Sequence, residues 1–181
     1  IRNIAAYILN VHVSGKYYVN FADCSPIAGR CGVREFLFGL RTGNDALAQF
    51  AAQDFVKGRD NSLLLPEDGS LYYRLQAGFT AAQIKAFCRP KTVIAHPEIF
   101  YPSAGLFIAR DSRLCLAVKA GDNADSHNHN DTGSFTVYKG GKPLFIDIGV
   151  ESYTKKTFSP QRYEIWTMQS AWHNLPTVTG V

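Results

Sequence analysis

The sequence predicts an α+β protein in which helices come first and antiparallel strands follow. Up to about Arg89, apolar residues recur at helical spacing, whereas from Pro90 onwards short apolar runs alternate with turn residues. Helices and strands that occupy separate parts of a chain are typical of α+β proteins or of two domains. We therefore divide the chain into a helical segment, residues 1–89, and a strand segment, residues 90–181.

Three helices are predicted in the helical segment. The first lies at the beginning of the chain, where apolar residues recur at positions that share one helix face: Ile1, Ile4, Ala5, Ile8 and Leu9. Asn44 is a residue type that caps helices, and it precedes an apolar face that includes Leu47, Phe50 and Ala51. Thr80, followed by Gln83, has the pattern of a capping box and predicts the start of the third helix.

The strand segment is predicted to contain antiparallel strands. Short apolar runs bounded by turn residues occur at 92–95, 105–109 and 114–118. Residues 135–138 and 144–147 flank a Lys-Gly-Gly-Lys sequence, which predicts a β-hairpin with a Gly-Gly turn. The last residues, 177–181, are typical of a strand that the end of the sequence cuts partway.

Composition narrows the functional classes. A hydrophobic content of 46% and an aromatic content of 13% are typical of a globular protein with a core. The formal charge of +4 comes from scattered lysines and arginines, without the basic stripe of a nucleic-acid-binding protein. No run approaches the roughly 18 apolar residues of a membrane span. The cysteines show no metal-binding spacing and are predicted to be buried free thiols.

The segment His127-Asn128-His129-Asn130-Asp131 carries the strongest functional signal. Histidines at alternate positions among strand-like neighbours would place both imidazoles on one face of a sheet. Asp147 is a lone carboxylate in an apolar run, where uncompensated burial would cost several kcal/mol. Zinc accepts neutral imidazole and carboxylate ligands and can take water or substrate in its fourth position. His129, Asp147 and His173 are therefore candidate zinc ligands.

A simpler interpretation of the same residues stays open. His127 and His129 could be exposed strand residues, and Asp147 could cap the turn before Gly149. If the metal is bound, His127 is left for chemistry, because imidazole transfers protons near neutral pH. The alternatives for His127 are a further metal ligand and a hydrogen-bonded surface residue.

Other polar side chains near these histidines are candidates for contacts with a sugar substrate: Asn128, Asn130, Tyr153, Arg162, Tyr163 and Asn174. Amides can bond sugar hydroxyls, although asparagine in loops often only closes turns. Arginine and aromatic side chains suit a cleft that holds sugar carboxylates. Packing is the alternative role for each of them.

Several motifs in combination resemble the heparinase II/III-like polysaccharide lyases. They are HNHNDTGSF at 127–135, FIDIGV at 145–150, Tyr153-Thr154, FSPQRY at 158–163 and SAWHNLP at 170–176. The close resemblance covers about residues 125–180, and the combination is more specific than any single motif. The helical segment resembles the last helices of the family's α/α toroid more loosely.

The resemblance implies an α/α toroid followed by an antiparallel β-sandwich, with substrate between them. The family cleaves uronic-acid-containing polysaccharides by β-elimination: a tyrosine transfers a proton at the sugar ring, while histidine and asparagine neutralise the uronate carboxylate. By position, His127 matches the catalytic histidine. The family's zinc ligands are matched by His129, Asp147 and His173, which are expected to hold one ion with a mainly structural role. Tyr163 is the candidate for the tyrosine of the sandwich.

Two parts of the family's site are expected to precede Ile1, namely a toroid asparagine and a tyrosine base. Tyr17 and Tyr18 lack the surroundings expected of that base. We therefore expect residues 1–89 to be the end of an incomplete toroid and residues 90–181 to be a sandwich truncated at its C-terminus, inactive without the missing parts. The expected partner is an acidic polysaccharide or oligosaccharide, and the resemblance favours a periplasmic or extracellular location over a cytoplasmic one.

Two other functions fit the same residues. A non-catalytic, metal-stabilised carbohydrate-binding sandwich would need a surface aromatic platform and no base. A metal hydrolase would use zinc to activate water.

Overall fold

The computed structural model describes residues 1–57 and 69–177. It confirms the α+β class, with helices in the first part and an antiparallel sheet in the second. Internal contacts divide the chain into a helical unit, Ile1–His12 with Ala28–His96, and a strand unit, Val13–Ile27 with Pro97–Val181. The predicted boundary after residue 89 does not anticipate that residues 13–27 join the strand unit. This segment finds hydrogen-bond partners up to 139 residues later, which no local pattern signals.

The helical unit contains α1 (Arg2–Asn10), α2 (Val33–Thr42), α3 (Asp45–Val56) and α4 (Leu71–Phe87). The helix predicted at the start of the chain is confirmed, but only part of its apolar stripe is buried. Ala5 and Leu9 lie in the interior, whereas Ile1 and Ile4 are exposed. The core consists of small and aliphatic side chains and one phenylalanine: Cys31, Val33, Phe36, Ala48, Ala51, Ala52 and Ile84.

A tight turn joins α2 to α3. Gly43 ends α2 in the left-handed conformation (φ 67°), which glycine adopts without steric cost. Asn44 then caps α3 as predicted, because its side chain accepts a hydrogen bond of 3.0 Å from the amide of Leu47. Gly39 lets the two helices approach closely, since a Cβ built there would lie 2.6 Å from the backbone nitrogen of Ala48.

The prediction that Thr80 starts a helix is wrong. Thr80 lies inside α4, and its hydroxyl donates to the carbonyl of Gln76 at 2.7 Å. A threonine can satisfy its hydroxyl on the preceding turn of an existing helix, so a Thr-x-x-Gln spacing does not by itself mark a helix terminus.

The strand predicted at residues 92–95 is also wrong, because the sheet begins only at Ile99. The segment lies alongside α3 instead. The amide of Gln53 donates to the carbonyls of Arg89 and Thr92 at 2.9 and 2.8 Å. Side-chain donors from a helix thus bond backbone groups that a neighbouring strand would otherwise have used.

The strand unit contains a five-stranded antiparallel sheet whose strands follow chain order. A short ribbon precedes the sheet and consists of β1 (His12–Ser14) and β2 (Tyr17–Tyr18). The sheet consists of β3 (Ile99–Tyr101), β4 (Leu106–Arg110), β5 (Leu114–Lys119), β6 (Phe135–Lys139) and β7 (Lys142–Phe145). The predicted strands at 105–109 and 114–118 correspond to β4 and β5.

The predicted β-hairpin is confirmed as β6 and β7. Gly140 and Gly141 have φ values of 57° and 75°, as a type I′ turn requires. The hairpin is tied to the earlier ribbon, because the buried hydroxyl of Tyr138 donates to the carbonyl of Tyr18 at 2.7 Å. Strand β7 ends at Phe145, so Asp147 lies just beyond the strand and not within it.

One face of the sheet is buried and the other exposes aromatic residues. The exposed face carries a row of side chains in register across four strands: Phe100, Phe107, Val118 and Phe135. The three phenylalanines of this row are 36–55% exposed. The described residues form one large sheet and the ribbon, so the second sheet of the predicted sandwich stays a prediction.

Residues 155–172 form a series of short 3₁₀ turns between the hairpin and the end of the described chain. Residues 178–181 of the strand predicted at 177–181 lie outside the described residues. All four cysteines are free, as predicted, but only Cys31 and Cys115 are buried, and Cys24 is exposed. Within the described ranges, no helix has the length and apolar character needed to cross a membrane.

Gly39→Ala should lower the free energy of unfolding by about 1–3 kcal/mol, because the added methyl meets the backbone of α3. Gly78→Ala in α4 is the matched control. A Cβ built at Gly78 has no atom within 4 Å, and alanine favours a helix over glycine by about 0.5–1 kcal/mol. Urea denaturation should therefore give shifts of opposite sign, whereas shifts of the same sign would contradict the close approach of α2 and α3.

Candidate metal and catalytic site

The loop between β5 and β6 carries His127 and His129. The loop is not a strand. The prediction that the alternation of a strand places both imidazoles on one face of a sheet is therefore wrong. His127 lies in a turn with φ 60°, which is uncommon for a residue other than glycine. The two rings nevertheless meet at the carboxylate of Asp23. Nδ1 of His127 lies 2.8 Å from Oδ2, and Nε2 of His129 lies 2.9 Å from Oδ1.

His129, Asp147 and His173 form a buried cluster. One potential ligand atom of each residue lies within 4.8 Å of the others. Asp147 accepts hydrogen bonds at 2.7 Å from Nδ1 of His173 and at 2.9 Å from the amide of Gly149. Asp147 therefore caps the turn before Gly149, as the alternative interpretation of the sequence expected. It also belongs to the buried cluster. The structure thus brings the three predicted ligands together.

Nδ1 of His129 is buried without a hydrogen-bond partner, and Nε2 of His173 is buried without a hydrogen bond of normal geometry. Leaving a buried polar atom unsatisfied costs about 1–3 kcal/mol. Burial lowers the pKa of His129, which favours its neutral ring with a free lone pair. Burial also acts to lower the pKa of His173, but the hydrogen bond and charge of Asp147 outweigh it and raise that pKa. The two imidazoles and the carboxylate of Asp147 fit the donor set of a divalent metal.

Asp23 joins this cluster to the more exposed residues. It also accepts a hydrogen bond of 2.6 Å from the hydroxyl of Tyr153 and one of 3.1 Å from the guanidinium of Arg162. Burial alone would raise the pKa of Asp23. The hydrogen bonds from Tyr153, His127 and His129 and the charge of Arg162 lower the pKa to about 2. Asp23 is therefore a carboxylate with both oxygens engaged.

Arg162 and Tyr163 hold the histidine loop in place. The guanidinium of Arg162 donates to the carbonyl of Asn128 at 3.0 and 3.1 Å and to the carbonyl of Thr157 at 3.0 Å. The hydroxyl of Tyr163 donates to Oδ1 of Asn128 at 2.9 Å, and the side-chain amide of Asn128 donates to the carbonyl of Asn123. These contacts lie within the protein, so contacts of Asn128 and Arg162 with a substrate stay predictions.

Asn130 and Asn174 link the histidine loop, β6 and the 3₁₀ segment. The side-chain amide of Asn174 donates to the carbonyls of Phe135 and Ile146 at 3.1 and 3.0 Å. The backbone amide of Asn130 donates to the carbonyl of Met168 at 2.9 Å. The predicted roles of Asn130 and Asn174 in substrate binding are not tested by these contacts and stay predictions.

Sequence reasoning missed Asp23 as a site residue and named Tyr153 only as an aromatic side chain suited to a sugar-carboxylate cleft. Asp23 precedes His127 by 104 residues and lies among turn-forming residues, so no spacing rule connects the two. Tyr153 did carry a signal, because it lies within one of the motifs that resemble the lyases. Its hydroxyl lies 3.4 Å from Nδ1 of His127.

Residues 94–180 match the protein family described as heparinase II/III-like, C-terminal. The match supports the assignment of this part of the chain to the heparinase II/III-like family. The match contains the buried cluster and His127, whereas Asp23 lies outside it. The family assignment made from the motifs is thus confirmed and begins earlier than the close resemblance indicated.

Two solved structures are similar to this chain. They are described as heparinase III (the BT4657 gene product) and the same protein with methylated lysines, each at 17% identity and a TM-score of 0.40. The alignments cover 95% and 96% of this chain and 31% of those chains, so this chain spans about a third of their length. A search of curated proteins finds no match.

Arg162→Lys should loosen the histidine loop. A lysine has no planar fork with which to reach Asn128, Thr157 and Asp23 together, so we expect a loss of about 1–3 kcal/mol in the free energy of unfolding. Arg41→Lys, at an exposed position of α2, is the matched control and should change stability by less than about 0.5 kcal/mol. Urea denaturation measures the free energy of unfolding of both variants. Similar losses in the two variants would show that the hydrogen bonds of Arg162 do not stabilise the histidine loop.

Proposed function

We propose that this chain carries the metal-bearing part of the active site of a polysaccharide lyase, which cleaves uronic-acid-containing polysaccharides by β-elimination. One observation carries the proposal: a single carboxylate, Asp23, contacts both the exposed His127 and the buried cluster through His129. The family of residues 94–180 supports the same class of reaction. The proposed substrate is an acidic polysaccharide or oligosaccharide.

Zinc is the proposed cofactor, held as one ion by His129, Asp147 and His173. Two imidazoles and one carboxylate are ligands that zinc binds in proteins. The three residues come from separate segments of the chain, so the ion would supply a crosslink that fixes the site. The cluster is buried, with His129 fully inaccessible and Asp147 only 3% exposed, which favours this structural role over the activation of water.

His127 is the proposed catalytic histidine. Its side chain is 55% exposed, and Nδ1 is engaged by Asp23, so Nε2 is the ring atom left to face a substrate. The proton beside a uronate carboxylate can be removed only when donors reduce the charge of that carboxylate. With Nδ1 held by Asp23, the imidazole can donate to the uronate carboxylate through Nε2 when both ring nitrogens carry protons, and it can accept a proton at Nε2 when the ring is neutral.

Two tyrosines are candidates for proton transfer at the sugar ring. Tyr163, assigned by resemblance, donates its hydroxyl proton to Asn128. Tyr153 lies next to His127 and is about half exposed. The hydrogen bond to Asp23 raises the pKa of Tyr153, which favours the protonated phenol over the phenolate that a base would need.

A non-catalytic carbohydrate-binding module is the second candidate function. Trp166 and Trp172 are 42% and 54% exposed and lie edge to face with ring centroids 5.1 Å apart. Exposed aromatic faces of this kind are suited to stacking against sugar rings. Under either function we propose a periplasmic or extracellular location, which fractionation of cells expressing the tagged protein would test.

Protein purified without chelator should contain about one zinc per chain, as a mononuclear site requires. His173→Ala should lose the metal because only two protein ligands remain. His127→Ala is the matched control and should keep it, since His127 is not part of the buried cluster. Elemental analysis of the three proteins tests this, and loss of zinc from His127→Ala would mean that the roles of His127 and His129 are reversed.

The full-length gene product should convert at least one uronate polymer into products with the ultraviolet absorbance of unsaturated uronates. His127→Ala should lower the rate about 10²–10⁴-fold, as removal of a general acid or base does, without loss of zinc. The 181-residue chain by itself should be inactive, and Tyr153→Phe compared with Tyr163→Phe identifies the tyrosine. New reducing ends without that absorbance would indicate a hydrolase, and binding without cleavage would indicate the carbohydrate-binding module.

A further inference from the structure

We propose that Asp23 is a positioning residue that determines which ring nitrogen is protonated in His127 and in His129. It thereby offers Nδ1 of His129 to the metal and Nε2 of His127 to the substrate. The part of this inference that concerns substrate rests on the proposed function. The part that concerns the two histidines and the metal can be tested without it.

The tautomers follow from the contacts of the carboxylate. A carboxylate only accepts hydrogen bonds, and a neutral imidazole has one N–H, so the nitrogen that faces Asp23 must carry the proton. That nitrogen is Nδ1 in His127, at 2.8 Å, and Nε2 in His129, at 2.9 Å. The lone pairs are left on Nε2 of His127 and Nδ1 of His129. The latter is buried without a hydrogen-bond partner, and it lies in the cluster with Asp147 and His173.

The two oxygens of Asp23 serve two different sides of the site. Oδ1 accepts from His129 and Arg162, whose side chains are 0% and 11% exposed. Oδ2 accepts from His127 and Tyr153, which are about half exposed. One rigid group therefore fixes a metal ligand on its inner side and the catalytic histidine on its outer side. A change at Asp23 should affect both sides together.

The segment that carries Asp23 is hydrogen-bonded to the backbone of Asp147, one of the three proposed metal ligands. The side chain of Asn20 is buried and donates to the carbonyl of Asp147 at 3.1 Å and to that of Cys24 at 3.2 Å. Asp23 thus lies between Asn20 and Cys24, which this side chain links to each other and to the backbone of Asp147. Its position depends on the same turn that places the carboxylate of Asp147.

Backbone conformation marks both ends of the contact between Asp23 and His127. Among the described residues other than glycine, positive φ values occur at Ala22 (53°) and at His127 (60°). Such conformations cost about 1–3 kcal/mol and persist where the surrounding contacts require them, often at functional sites. Ala22 directly precedes Asp23. The two positive φ values therefore occur at the two ends of the hydrogen bond between Asp23 and His127.

Long-range proton–nitrogen correlation spectra of the histidine-labelled chain test the tautomers directly. We expect the proton on Nδ1 of His127 and on Nε2 of His129, and, after addition of cadmium, a metal-bound Nδ1 in His129. A proton on Nδ1 of His129, or metal bound through its Nε2, would overturn the proposal. This measurement uses the unchanged protein and does not depend on the folding of any variant.

Asp23→Asn tests the effect on both sides. The amide replaces one acceptor oxygen with a donor, so at least one of the four groups around it loses its acceptor. We expect metal affinity, measured by competition with a chelator, to fall about 10–100-fold. In the full-length gene product, kcat should fall while KM changes little. Asp125→Asn, at an exposed position of the histidine loop, is the matched control and should change neither quantity.

Tyr153→Phe separates the two sides, because it leaves the carboxylate intact and should keep the wild-type metal affinity. Wild-type metal affinity in Asp23→Asn would overturn the proposal. If the wild-type protein cleaves no uronate polymer, the proposed function fails, while the tautomers and the metal affinity still decide the role of Asp23.

Discussion

The burial of three polar side chains is the constraint on which the strand unit depends. His129, Asp147 and His173 are removed from water, and burying such groups costs several kcal/mol each unless hydrogen bonds or a metal compensate. Asp23 compensates one nitrogen of His129, and the amide of Gly149 compensates one oxygen of Asp147. Nδ1 of His129 is left without a hydrogen-bond partner, in a cluster whose potential ligand atoms lie within 4.8 Å of one another, which is an arrangement that a bound cation would complete.

The surrounding structure keeps these segments in register. The type I′ hairpin of β6 and β7 delivers Asp147 just beyond the end of a strand, and Asn174 ties that position to β6 through two backbone carbonyls. The histidine loop is anchored at β5 by the buried ion pair between Lys119 and Asp131, at 2.5 Å. Arg162 fixes the loop from the other side. The chemistry is thus located in loops, while the sheet supplies the fixed ends from which they begin.

The sequence predicted those features that local rules control. Asn44 as a helix cap, the Gly-Gly hairpin and the free thiols depend on residue type and on close neighbours, and each is present. The metal-type cluster was also predicted, because His129, Asp147 and His173 are residue types with few other reasons to be buried together. Thr80 was misassigned because a threonine whose hydroxyl bonds its own helix has the same sequence pattern as a cap. Residues 92–95 were misassigned because a segment bonded by Gln53 has the same apolar pattern as a strand. Asp23 could not be predicted, since its role arises only when residues far apart in the chain meet.

X-ray absorption spectroscopy of the zinc-loaded protein is the measurement that tests the central claim most directly. A site formed by His129, Asp147 and His173 predicts only nitrogen and oxygen neighbours at about 2.0–2.2 Å, with the multiple-scattering signal of two imidazoles. A sulfur neighbour at about 2.3 Å would contradict the account, because it would bring a thiol into the coordination sphere, with Cys24 as the cysteine next to Asp23. A signal from hydrated zinc without imidazole would show that the buried cluster does not bind the metal.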